Sequence, residues 1–278
     1  MKLGYFTKAA RSNNEDFGYV CEDFGFIVDG ATGVSNIIVT NEISDAKWFS
    51  HKIGEYLKEA LKDTEKTLSD IVKEAIVYVD SEFSKFYRVS MAETKPSSTI
   101  AIFRKNNGLL EYLVLGDSPL LVKYKDGQIR EFIANEQLIV LERENINKLV
   151  EIANQREINV IEARPFVNEA LLVQRQKMNK ENGYYIIADD VKAVDHALCG
   201  TIRLDVIQSV MGMSDGFSQL YDVFGLYNKK QLFKEIENRK TFEELYRELY
   251  RAQENDKYCN EHPRFKVRDD VSVFYVEF

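Results

Sequence analysis

Apolar positions along the 278-residue chain change their spacing several times, and each change marks an element. Short β-type runs come first, "KLGYFT", "FGYVCE" and "FGFIVDG". The second and third are separated by little more than Glu22-Asp23, which predicts a hairpin. From Asn41 to about Arg88 the period lengthens. Trp48, Ile53, Leu57 and Leu61 recur near helical spacing, followed by Leu68, Ile71, Ala75, Val79 and Phe83, so two long helices are expected. Strands return in "SSTIAIFRK", "LLEYLVLGDS", "PLLVKYKDG" and "QIREF", with "KNNG" and "YKDG" as turn chemistry, predicting an antiparallel meander. "ANEQLIVLERENINKLVEIANQRE" reads as a charged amphipathic helix, "GYYIIA" and "VIQSVMGMSDG" as strands, "FEELYRELYRAQEN" as a helix and "DVSVFYVEF" as a closing strand. The sequence has 4 prolines, no low-complexity linker and no internal repeat, so one α+β domain over residues 1–278 is expected.

Composition narrows the function classes. At 45% hydrophobic the chain can bury a sizeable core. A formal net charge of -8 argues against a binder of phosphate backbones, whose affinity comes from clustered Lys and Arg, so no nucleic acid partner is expected. No uninterrupted apolar run reaches membrane-spanning length, and the first residues lack a signal-like apolar core, so no membrane partner and no export are expected. Cys21, Cys199 and Cys259 are odd in number and far apart, which supports neither a disulfide framework nor a zinc site. A reducing, cytoplasmic setting is expected.

The candidate chemistry lies in carboxylates at strand ends: Asp29 after "FGFIV", Asp117 after "LVLG", Asp215 after "SVMGMS" and Asp269 just before "VSVFYV". A strand end holds a side chain on a rigid scaffold yet aims it into a cleft. Each Asp-Gly pair alone reads more readily as turn chemistry; only their joint occurrence points to a site. Converging carboxylates need cations, and oxygen-only donors select hard ions such as Mg²⁺ or Mn²⁺. The 3 histidines include no ligand pair. Arg11, just before Glu15-Asp16, offers a planar fork suited to phosphate, or is an ordinary solvated or paired arginine. A Cys-x5-Arg loop, a DxD nucleophile and a GxxxxGK phosphate loop are all absent, which disfavours those routes to phosphoryl transfer.

Taken in order, "RSNNED", "VDGATG", "SST", "GDS", "SDGF" and "RDDVSV" resemble the metal-dependent protein phosphatases of the type 2C class, with matches from Arg11 to the last strand. The resemblance implies a four-layer α-β-β-α sandwich of two antiparallel sheets flanked by helix pairs. It implies hydrolysis of phosphoserine and phosphothreonine in protein substrates by direct attack of a metal-bridged water. Two Mn²⁺ or Mg²⁺ ions would be needed, and through Asp117 a third. Carried over by motif, Arg11 is similar to the family's phosphate-binding arginine, and Asp16 to the acid of the Glu-Asp pair that binds the ions directly or supports those that do. Asp29 resembles the carboxylate bridging two ions, with Gly30 lending its carbonyl, and Asp215 and Asp269 resemble the two later ligands. Departures from the pattern are Ala31, where a histidine often stands, Gln219, where an acid is common, and Asp270, where the family usually has Asn. Residues 134–182 fall where the family places a mobile flap. Two other readings stay open: a metal-poor pseudophosphatase acting as a regulatory binding module, and a phosphatase for a small metabolite.

Overall fold

In a computed structural model the structure describes residues 3–31, 37–86, 95–134 and 136–278. Strands β1 (Leu3–Lys8), β2 (Phe17–Val20) and β3 (Phe24–Ala31) precede helices α1 (Asp45–Ala60) and α2 (Leu68–Phe83). Then come β4 (Ser97–Asn106), β5 (Leu109–Tyr124) and β6 (Ile129–Ala134), and helices α3 (Glu136–Arg156), α4 (Val160–Ala163) and α5 (Asn168–Arg175). The chain closes with β7 (Leu198–Arg203), β8 (Ile207–Met213), α6 (Asp215–Asp222), α7 (Lys229–Glu237), α8 (Phe242–Asn255) and β9 (Val271–Glu277).

All named strand pairs are antiparallel. β2, β3, β4 and β7 join the first half of β5, and β1, β9, β8 and β6 join its second half. Where the apolar pattern predicts two strands, β5 is one strand of 16 residues, bent where its register shifts between Gly116 and Leu120. Gly116 makes the bend possible: its φ is +95°, and a Cβ there would lie 2.4 Å from the Thr99 methyl. Asp117 follows directly.

Three apolar clusters set the layers. Ile27, Phe103, Val114, Val210 and Phe274 pack between the two halves. Phe26 and Val28 turn the other way, onto Trp48, Ile53, Ile71 and Val79 of α1 and α2. Met211, Met213 and Tyr275 face Phe217, Leu232, Leu245 and Leu249 of α6, α7 and α8. Helices pack against a large antiparallel sheet, in agreement with the expected α+β class. β3 is apolar up to Asp29 because both of its faces are covered there. A fourth cluster, Leu149, Ala153, Val160 and Val167, joins α3 and α4 to Cys259 in the loop after α8.

Local sequence fixes the helix starts. Ser44 caps α1 and Thr67 caps α2, while Thr241 and Glu244 form a reciprocal capping box on α8. One expected strand is absent: "GYYIIA" makes only isolated bridges, Ser98 with Ile187 and Met178 with Tyr184. Ile186, Ile187 and Ala188 are buried, so its apolar character comes from packing and not from a ladder. β7, α6 and α7 carry too little periodicity to be anticipated.

Candidate active site

The Asp-Gly pairs at Asp29 and Asp215 are not turns. Asp29 and Gly30 lie inside β3, paired with Thr99 and Ser98 of β4. A Cβ on Gly30 would stand 2.5 Å from the Glu15 carbonyl oxygen and 3.1 Å from that of Ala46. Glycine is therefore needed for β3 to pass beneath the Glu15-Asp16 segment and α1. Asp215 opens α6, and a Cβ on Gly216 would meet the Asp270 carbonyl at 1.9 Å. That crossing is locked by Ser214 and Ser272: the Ser214 N–H donates to the Ser272 carbonyl at 2.9 Å, and the Ser272 N–H to the Ser214 hydroxyl at 2.9 Å. In this way "SDG" and "RDDVS", far apart in sequence, deliver Asp215 and Asp269 to one place.

Asp29, Gly30, Asp117, Asp215 and Asp269 line a single cleft of about 1590 Å³. Asp16 stands outside its lining, 4% exposed, with neither carboxylate oxygen hydrogen-bonded among the described residues. Arg11 is exposed and is not among the lining residues. Asp270 acts elsewhere, its Oδ1 accepting the Ala10 N–H at 2.7 Å and its Oδ2 the Glu15 N–H at 2.6 Å, so that it clamps the loop that carries Arg11. Both its oxygens are thereby committed, whereas Asp269 faces the cleft.

No family model and no curated protein matches the chain. Solved structures do. The serine/threonine phosphatase PstP/Ppp of Mycobacterium tuberculosis is 13% identical with a TM-score of 0.57, covering 100% of this chain and 98% of that one. A bacterial serine phosphatase is 14% identical with a TM-score of 0.56, covering 100% and 97%. Serine/threonine phosphatase Stp1 of Staphylococcus aureus is 14% identical with a TM-score of 0.55, covering 100% and 94%. The chain has the fold of the bacterial serine/threonine phosphatases. At such identities the likeness speaks for the phosphatase fold alone, so the roles of residues rest on the cleft itself.

In this phosphatase fold the cleft is electrostatically unfavourable to its own carboxylates. Burial holds Asp29 and Asp215 well above the usual carboxylate range, with repulsion from Asp16, Asp215 and Asp269 adding to it for Asp29 and from Asp269 and Asp117 for Asp215. Asp16 is pushed up to about 7 by burial and then by Asp270; Ser214 and Ser272 ease it without reaching hydrogen-bond geometry. Burial raises Asp117 to about 6. Such strain stays in a fold only where something offsets it.

The donor chemistry suits a hard divalent cation: every group is an oxygen, and Asp16 has two buried oxygens without donors. Among the described residues, however, no three His, Cys, Asp or Glu side chains are gathered closely enough to hold an ion. Part of the offset comes from Lys266, whose Nζ lies 3.0 Å from both oxygens of Asp269. Desolvation on the cleft side works against this partly exposed ammonium, but attraction to Asp269, Asp215 and Asp29 holds its pKa above the usual range.

Three cleft residues escape sequence reasoning. Glu142 of α3 is raised to about 8 by burial and by Asp117 and Asp269. Arg175 ends α5, and its Nη2 donates to the Ala31 carbonyl at 3.2 Å. Lys266 is the third. Glu142 and Arg175 come from the 134–182 segment, where no motif distinguishes them from neighbouring surface charges. Lys266 sits at i,i+3 from Asp269, a spacing that suggests nothing by itself.

Proposed function

We propose that this protein is a metal-dependent phosphomonoesterase acting on phosphoserine and phosphothreonine in proteins, working as one catalytic unit over residues 1–278 with 134–182 as its flap. The observation that carries the reading is the convergence of half-buried, mutually repelling Asp29, Asp215 and Asp269 on one cleft. Fold likeness to serine/threonine phosphatases supports the same chemistry. The cleft, at about 1590 Å³, exceeds the roughly 300–1,000 Å³ usual for small-molecule sites, which favours a peptide segment over a small metabolite.

In this reading Asp29, Asp215 and Asp269 hold two Mn²⁺ or Mg²⁺ ions with the Gly30 carbonyl, Asp16 supports them from behind, and Asp117 serves a third. Such ions supply positive charge to the phosphoryl oxygens and acidify water. The chain's own part is to fix the donors on β3, β5, α6 and the approach to β9, and to exclude bulk water by burial. Arg11 is proposed to meet the substrate phosphate. Asp270 fixes the ends of its loop while the side chain stays free to swing in. Three free thiols agree with a reducing, cytoplasmic setting. Among the described residues no helix is long and apolar enough to cross a membrane.

A second reading, a binding module that works without ions, draws on one observation: Lys266 already provides a cation against Asp269. Release of phosphate from phosphoserine and phosphothreonine peptides, measured with Mn²⁺ and in chelator, separates the two. Turnover that needs the ion supports the enzyme; no ion binding and no turnover supports the module.

A further inference from the structure

Arg175 is a guanidinium placed in the cleft beside Tyr184, with its Nε unpartnered among the described residues. Nη2 donates to the Ala31 carbonyl at 3.2 Å, one residue beyond Gly30 and two beyond Asp29. Nε is buried without a hydrogen-bond partner among the described residues. Burial lowers its pKa from the usual value, and attraction to Tyr184 and, more weakly, to Glu15 only partly opposes this. On this half-buried side chain, a buried Nε with no acceptor is costly unless an anion joins it.

Its position is held from several sides. The neighbouring Gln174 accepts from Asn145 of α3 at 2.5 Å, and the Gln176 N–H closes the end of α5 on the Leu172 carbonyl at 3.0 Å. The chain then turns through Asn179, at φ 54°, whose N–H donates to the Tyr184 carbonyl at 2.7 Å. Gly183 allows this tight return, because a Cβ there would lie 1.8 Å from the Lys177 carbonyl oxygen. Tyr184 is thereby brought to Arg175, and both line the cleft with Asp29 and Ala31. A fork fixed in this way matches the geometry of phosphate oxygens and loses little freedom on binding them.

We propose that Arg175 is a substrate-binding residue: its guanidinium receives the phosphoryl oxygens of a phosphate monoester seated beside residue 31. The identity of the substrate rests on the phosphatase reading; the binding of a phosphate dianion by Arg175 does not require turnover. Nothing is transferred to or from Arg175, which stays a cation throughout and acts by hydrogen bonding and charge.

The test uses the full chain in Mg²⁺ and inorganic phosphate as the probe, titrated calorimetrically into wild type, Arg175→Lys and Arg175→Met. Phosphate should bind roughly tenfold or more weakly to Arg175→Met, with Arg175→Lys between the two. Mg²⁺ affinity should be unchanged, which a general loss of structure would not allow. If Arg175→Met fails to fold, wild type against Arg175→Lys decides. Equal phosphate affinity across the variants, or no phosphate binding by wild type, overturns the proposal. Phosphate binding that depends on Arg175, with no phosphopeptide hydrolysed by wild type, would leave Arg175 in place and sink the phosphatase reading alone.

Discussion

Asp270→Asn separates two carboxylates that are adjacent in sequence and opposite in use. The Asp270 carboxylate accepts the Ala10 and Glu15 N–H groups, one on each oxygen, at 2.7 and 2.6 Å. An amide has one oxygen, so one N–H would lose its acceptor and face an NH₂ donor. Hydrogen bonds to a charged group contribute about 1.5–3 kcal/mol, and a buried donor left unpaired costs about 1–3 kcal/mol. Against this, burial and repulsion from Asp269 and Glu15 already raise the Asp270 pKa, and neutralisation relieves them. A net loss of about 1–2 kcal/mol follows, or about 2–8 °C in Tm at the roughly 2–4 °C per kcal/mol usual for large domains. Asp269→Asn removes a contact with Lys266 whose partners are 28% and 45% exposed, a class of pair that contributes at most about 1 kcal/mol. Calorimetric scans of both variants in chelator should therefore show Asp270→Asn as the less stable, with faster hydrogen exchange at residues 10–15. Addition of Mn²⁺ should raise the Tm of Asp270→Asn and scarcely that of Asp269→Asn. An unchanged Asp270→Asn, or the reverse order with Mn²⁺, would refute the division of labour.

Two further outcomes follow from the same electrostatics. In metal-free protein the carboxylates of Asp16, Asp117 and Glu142 have folded pKa values of about 7, 6 and 8, above the unfolded range near 4, so the folded state retains protons that the unfolded state releases. Stability must then fall as pH rises from about 4 to about 8; a metal-free Tm that climbs between pH 5 and 8 would contradict this. Lys266→Met should lower metal-free stability slightly and tighten Mn²⁺ binding by about fivefold, the factor about 1 kcal/mol of lost competition represents; weaker Mn²⁺ binding would make Lys266 a helper of the ions instead.

Much of this architecture is legible because its strands and helices are locally consistent. The Trp48 to Leu61 and Leu68 to Phe83 series fall on α1 and α2, and "FEELYRELYRAQEN" coincides with α8. The strand-end carboxylates are legible for a related reason: a polar residue ending an apolar run stands out. Local pattern fails where tertiary packing decides. "GYYIIA" is apolar because it is buried against β4, and the two apolar runs around "GDS" form one bent strand because Gly116 tolerates a positive φ. The family pattern, with Asn at position 270, implies that Asp270 accepts that change readily; its bonds to Ala10 and Glu15 span more than 250 positions and leave no mark in the sequence. Glu142, Arg175 and Lys266 are hidden similarly, since a charge on an amphipathic helix or loop is ordinarily solvated.

The proposed enzyme needs divalent ions to satisfy Asp29 and its partner carboxylates in the cleft. The most direct test is a Mn²⁺ titration of one sample read two ways, as Tm and as phosphate released from a phosphothreonine peptide, in wild type and Asp29→Asn. Both signals should rise over the same Mn²⁺ range in wild type, and both should be lost in Asp29→Asn. Hydrolysis that persists in excess chelator, or an Asp29→Asn protein that still responds to Mn²⁺ like wild type, would contradict it.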